Sequence, residues 1–294
     1  MKNINKILSF AAFVMLTVVC ISCDKDPIFI SGDYRYEQRD LTYMENFDGI
    51  LVHWGDNVTD EQKDAIREIA ASMVRVDGGT FNMGCDDEYA NADEAPVHSV
   101  TLSDYRIAKF TITQKQWSTI MGYELNWNPA VGVGDDYPAT LLSMQLVDEF
   151  INKLNALSDL HFRKPTEAEW EYAAKGGKLT HGYRYSGSDN PDMVAWHQGN
   201  ADTKIHPVGM LQANELGLYD MSGNVWEWCS DWYAVYQSGY YINPTGPATG
   251  NFKVLRGGSW QDYPTQNRVY YRNNEGHPES RNNVYGFRLV IEKL

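Results

Sequence analysis

The chain has 294 residues, of which 43% are hydrophobic and 22% charged, with a formal net charge of −14. That balance excludes an intrinsically disordered chain, and the acidic excess disfavours nucleic acid as a partner because phosphates would be repelled. Nineteen tyrosines and nine tryptophans suit both cores and binding surfaces, since each side chain joins an apolar body to a polar tip.

The first element is a leader. Lys2 and Lys6 flank the start of an apolar run, Ile7 to Val19, that is too short to span a bilayer. The run ends in Cys20-Ile21-Ser22-Cys23. A small residue directly before Cys23 resembles the lipobox of bacterial lipoproteins, although Cys20 stands where that motif prefers an aliphatic residue. The resemblance implies removal of residues 1–22 as a signal peptide, a lipid on Cys23, and a membrane-anchored place in the bacterial cell envelope. An ordinary secretory signal is the alternative.

Residues 23–70 read as a tether with a short helix, mixing charge, glycine and aromatics without sustained periodicity. Thr59-x-x-Gln62 is a capping box, and Ala65, Ile66, Ile69, Ala70 and Met73 fall on one helical face. Residues 71–294 then form one domain. Met73 to Val76 alternates as a strand, stopped by Asp77-Gly78-Gly79, and Thr80 to Gly84 forms a second. Thr113-x-x-Gln116 caps a helix ended by Gly122. Ser143 starts another, with Val147, Phe150, Ile151 and Leu154 at helical spacing. Thr166-x-x-Glu169 caps a third, in which Glu167, Glu169 and Glu171 read as a solvated face with one capping carboxylate. Beyond residue 178 short apolar pieces alternate with Gly, Pro, Asn and Asp, predicting an irregular, loop-rich α+β domain with an aromatic core.

Five blocks in chain order carry a further signal: VDGGTFNMG (76–84), DEAPVHSVTLSDYRIAKFTITQKQW (93–117), RKPTEAEWEYAAKGG (163–177), HPVGMLQANELGLYDMSGNVWEWCSDWY (206–233), and VLRGGSW with GFRLV (254–290). Together they resemble the formylglycine-generating enzyme, or sulfatase-modifying factor, family over about three quarters of the chain. The resemblance implies a C-type-lectin-like fold with little regular secondary structure. In that family two cysteines downstream of a Gly-Gly-Ser bind Cu(I) and oxidise a substrate cysteine. Counting from Gly257-Gly258-Ser259, those positions hold Asp262 and Asn267. Soft thiolates select Cu(I), and neither a carboxylate nor an amide replaces them. No copper is therefore expected, and formylglycine-generating oxidase activity is not expected either.

The resemblance also carries Ser259 and Trp226 over as groove residues. Of Trp226 and Trp228, the resemblance favours Trp226 for the groove. Tyr263, Arg268, Tyr271, Arg272 and His277 follow in a polar, aromatic segment. Planar guanidiniums and aromatic faces there either bind a peptide, protein or glycan or make a well-packed polar surface. Arg256 and Arg288 read as members of structural ion pairs. By resemblance, Asp220, Gly223, Val225 and Glu227 match one structural calcium site, and hard oxygen ligands of this mixture suit Ca²⁺. Cys85 and Cys229 either form a disulfide or remain free thiols. The seven histidines lack the spacing of a catalytic zinc site.

The reading that follows is a lipid-anchored, non-catalytic domain whose former substrate groove recognises a peptide, protein or glycan. Two alternatives stand beside it. One is an enzyme with altered, non-copper chemistry in the same groove. The other is a surface-variable binding protein of a diversity-generating retroelement, suggested by Asn273, Asn274, Asn282 and Asn283.

Overall fold

Capping explains where the helices begin. In the computed structural model, which describes residues 44–47 and 50–292, Thr59, Thr113 and Thr166 each accept a bond from the N–H three residues on. The side chains of Gln62, Gln116 and Glu169 bond back to the cap backbone. The resulting helices are α1 (Asp60–Ala71), α2 (Gln114–Met121) and, after Ser143 caps α3 (Met144–Leu157), α4 (Glu167–Ala174). Gly122 closes α2 in the left-handed conformation at φ 79°. Beyond residue 179 the only α-helix among the described residues is a single turn, α5 (Pro191–Val194).

Two four-stranded sheets organise the rest. In the first, β3 (Met73–Val76), β6 (Tyr105–Ala108), β15 (Val290–Glu292) and β7 (Phe162–Arg163) lie in that order. The last strand thus sits between elements from the middle of the chain, antiparallel to both. In the second, β13 (Arg272–Gly276), β12 (Lys253–Arg256), β10 (Trp226–Trp232) and β14 (Tyr285–Gly286) are neighbours. A three-stranded sheet joins β11 (Tyr240–Ile242), β5 (His98–Thr101) and β4 (Thr80–Met83), and β8 (Ala195–Trp196) pairs with β9 (Ser222–Gly223). Short strands, long connections and a core rich in Trp and Tyr give the irregular α+β architecture expected from the sequence.

The domain starts earlier than the sequence indicated. β1 (Met44–Phe47) and β2 (Ile50–His53) form an antiparallel pair. Gly55 then donates to the Leu157 carbonyl at 2.9 Å at the end of α3. Val52 and Ile66 are fully buried, and Ile69 is nearly so. Residues 50–70 are therefore packed structure rather than tether. The apolar stripe of α1 was legible, but its docking partner was not. The signal peptide, Cys23 and the remainder of the tether lie outside the described residues.

The reading of α4 is corrected more sharply. Glu167, Glu169 and Glu171 do not face solvent: all eight residues of the helix are buried. Arg272 grips Glu167 with bonds of 2.6 and 2.9 Å, and Arg163 grips Glu169 with two of 2.7 Å. Glu171 meets Arg256 and, at 2.6 Å, Lys175. Burial pushes the Glu171 carboxyl up, but Lys175 and Arg256 outweigh it and hold it below its ordinary value. Each buried charge has a partner, without which its desolvation would be prohibitive.

Candidate functional site

Gly257 and Gly258 both adopt left-handed backbone, at φ 98° and 76°. A Cβ on Gly258 would lie 1.9 Å from Asn267 Oδ1, so only glycine permits this approach. The turn is stitched to the 222–226 segment. Gly223 donates to the Gly257 carbonyl at 2.8 Å, and Trp260 N donates to the Asn224 carbonyl at 3.0 Å. Ser259, wholly buried, donates its hydroxyl proton to the Asp262 carboxylate. It also accepts from Gln261 N at 3.3 Å. Burial pushes the Asp262 carboxyl above its ordinary value, while hydrogen bonds from the Ser259 and Trp226 side chains pull it back. The Trp226 ring lies 5.8 Å from that of Tyr271. Trp226, Ser259, Asp262 and Tyr271 thus lie together, with Asn267 against Gly258.

Trp228, two residues along β10, shares the face of Trp226 and donates its indole N–H to the Leu142 carbonyl at 2.9 Å inside the core. Trp226 is itself only 2% exposed, so it backs the turn rather than lining an open groove. Tyr263, 64% exposed, stands at the outer rim of the cluster. Two other predicted contacts do not belong to an open groove wall. Arg268 is buried and holds Glu94 by two bonds, at 2.9 and 3.2 Å. Arg272 is buried against Glu167, whereas His277 is exposed, its ring 6.3 Å from that of Phe252. Arg256 and Arg288 are structural, as expected, paired with Glu171 and Glu227. Glu94 was missed because an acidic residue in a loop gives no local pattern; its partner lies 174 residues away.

Asn267 is fully buried, and both polar atoms of its amide lack a partner. Ser259, Asp262 and Asn267 offer hard oxygens and an amide, a donor set that does not fit Cu(I). The cysteines do not supply the missing sulfur. Cys85 and Cys229 are both free thiols, and burial pushes each thiol up. Cys85 lies beside Asp87 and Tyr270, whereas Cys229 is buried on β10, the strand that also carries Trp226.

Around Asp220 the chemistry is that of hard ligands. Asp220 takes left-handed backbone at φ 57°, and its carboxylate accepts from Gly209 N at 2.8 Å. Burial, with Glu227 nearby, pushes its carboxyl up to about 6. Gly223 is irreplaceable, since a Cβ there would lie 2.3 Å from the Trp196 carbonyl. Glu227 accepts two 2.6 Å bonds from Arg288 and one of 2.7 Å from Trp170. Asp220 is buried, and among the described residues no group of three or more His, Cys, Asp or Glu side chains is placed to hold a metal ion. A cation that also drew on Glu227 would share it with a guanidinium.

Two clefts lie away from this cluster. One, of about 360 Å³, opens between α1 and the segment leading into α2. The other, of about 440 Å³, lies between β4 and the turn that follows α4.

These features define an irregular α+β scaffold of the C-type-lectin-like type, with a Gly-Gly-Ser turn backed by tryptophan and lacking the paired thiols beside it. The chain belongs to the family described as the sulfatase-modifying factor enzyme 1-like domain, whose model matches residues 58–293. It is 31% identical to the chaperone protein LppX of Paenibacillus barcinonensis, over 65% of this chain and 79% of that one. It is 28% identical to the formylglycine-generating enzyme of Thermomonospora curvata, over 78% of this chain and 96% of that one. The solved structure of Treponema denticola variable protein 1 superposes with a TM-score of 0.66 at 31% identity, covering 75% of this chain and 95% of that one. Against the serine/threonine-protein kinase Pkn1 of Chlamydia trachomatis the chain is 32% identical but spans 38% of that protein's length.

Proposed function

We propose that this is a lipid-anchored, non-catalytic member of its family, which presents the surface around Tyr263 and Tyr271, backed by the buried Trp226, to a polypeptide. One observation carries the reading. The turn keeps its backbone and its tryptophan, while a closed Ser259–Asp262 hydrogen bond and a buried Asn267 occupy the positions where thiolates would do redox work. The name chaperone, borne by the Paenibacillus relative, supports a polypeptide ligand over a glycan. Anchoring through Cys23 would place the domain on a cell-envelope membrane, and Asp220 would hold a calcium ion that stiffens the wall behind the turn.

The test is a peptide array probed with the soluble domain and with its Tyr263→Ala variant. The exposed ring is expected to supply a sequence-tolerant aromatic contact, so the variant should lose about tenfold in affinity while melting at an unchanged temperature. Copper-loaded protein that converts a Cys-x-Pro-x-Arg peptide to formylglycine would defeat the non-catalytic reading.

Similarity to the Treponema variable protein favours a second reading, that this same surface is diversified by a retroelement. A template repeat beside the gene, differing from it at adenines within the codons for residues 263–283, would establish it.

A further inference from the structure

The cleft between α1 and the segment leading into α2 shares no residue with the turn at Ser259, and its chemistry differs. Its lining is mixed: Ile69, Ala108, Phe110, Ile112 and Val208 supply an apolar part, beside the polar Ser72, Thr111, Thr113 and Gln116. One of these polar groups stands out. Thr111 is 1% exposed, lines the cleft, and its hydroxyl oxygen has no hydrogen-bond partner. A buried hydroxyl left unpaired is destabilising, on the order of 1–3 kcal/mol. Such atoms in native proteins require an explanation, and a ligand supplying the missing bond is one.

The rim decides the sign of the ligand's charge. Glu68, Asp135 and Asp136 are all exposed there, against a single Lys115 whose ammonium lies 3.8 Å from Asp135. The start of α2, which faces the same space, offers no compensating donors to an anion. Thr113 N donates to Gln116 Oε1 and Gln116 N to Thr113 Oγ1, at 3.1 and 3.2 Å. Gln114 N and Lys115 N donate to the carbonyls of Tyr137 and Asp135. Acceptors at the rim, an apolar part of the lining and one hydroxyl acceptor beside it match a particular shape of ligand.

We propose that this cleft binds an amphipathic primary ammonium, its alkyl or aryl body on the apolar part of the lining and its –NH₃⁺ shared between the Thr111 hydroxyl and the acidic rim. The enclosed volume, about 360 Å³, suits a small molecule or one amine-bearing side chain rather than a polypeptide surface. The site exists only because α1 packs against the domain: Glu68, Ile69 and Ser72 supply one side, and residues between 108 and 208 the rest.

The experiment uses n-hexylamine, with n-hexanol and hexanoate as controls, and reads affinity by calorimetry and stability by thermal melting at pH 7. Hexylamine should bind, hexanol should bind at least tenfold more weakly, and hexanoate should show no binding. Thr111→Val removes the hydroxyl at nearly constant volume. It should weaken hexylamine by about tenfold while leaving the melting temperature of the free protein unchanged or raised. Those two signs together separate a ligand-binding role from a structural one. Asp135→Asn with Asp136→Asn should weaken hexylamine but not hexanol. Equal binding of hexanoate and hexylamine, no binding of hexylamine, or undiminished hexylamine binding by Thr111→Val would each overturn the proposal.

Discussion

Asp231, 5% exposed, accepts bonds from Glu167 N and from the Ser230 hydroxyl, yet burial and the neighbouring Glu167 push its carboxyl up to about 7. Its folded pKa therefore exceeds the value of about 4 expected in the unfolded chain. The folded state holds the proton more tightly, so stability from this group is full below pH 4. It is lost as pH rises to about 7, to a total on the order of 4 kcal/mol. Asp231→Asn should flatten that decline, leaving the variant more stable than the parent at pH 8 and little changed at pH 5. Urea midpoints at the two pH values decide it, and parallel curves would contradict the assignment. Gly258 gives a steric prediction at the same scale. Gly258→Ala drives a methyl into Asn267 Oδ1 and keeps an unfavourable φ, so it should destabilise by ~2 kcal/mol or more. Asn267→Ala in the same chain should recover part of the loss, which the double-variant melt would show.

Helix α4 shows which part of the sequence was legible and which was not. Its start could be read residue by residue, because Thr166 and Glu169 satisfy each other's neighbouring amides within one turn. The fate of its other carboxylates could not, because it depends on arginines far along the chain. Glu171 waits for Arg256, 85 residues on, and Glu167 for Arg272, 105 residues on. Three glutamates in eight residues look solvated until those partners are known. The same limit applies at Ser259. The Gly-Gly-Ser register located the turn and the two altered positions, but the burial of Arg268 and Arg272 came from Glu94 and Glu167, which no spacing rule connects to them. The 360 Å³ cleft was equally hidden, since it arises between elements that the sequence assigned to different regions. Removing half of one α4 pair is expected to be severe. Glu167→Gln should cost about 3–5 kcal/mol by leaving Arg272 uncompensated in the interior. Glu167→Leu combined with Arg272→Met should cost less than Glu167→Gln alone, as denaturant titration of the three chains would reveal.

Over the whole molecule, the amino-terminal hairpin and α1 are integral, and a chain beginning at residue 72 should expose the surface that Ile66 and Ile69 cover. It is expected to aggregate or melt well below the chain beginning at residue 44, a difference that scanning calorimetry can measure. Calcium should raise the melting temperature of the parent domain, and Asp220→Asn should abolish the increment. Identical melting curves in calcium and in chelator would rule the ion out.

The position of the last described strand bears on how the fold closes. β15 fills the gap between β6 and β7, and Arg288, just before it, neutralises Glu227. Without β15 and Arg288 the central sheet has a missing rail and an interior carboxylate stands unanswered. Closure of this topology joins residues far apart in the chain and is thus a late, long-range event in folding.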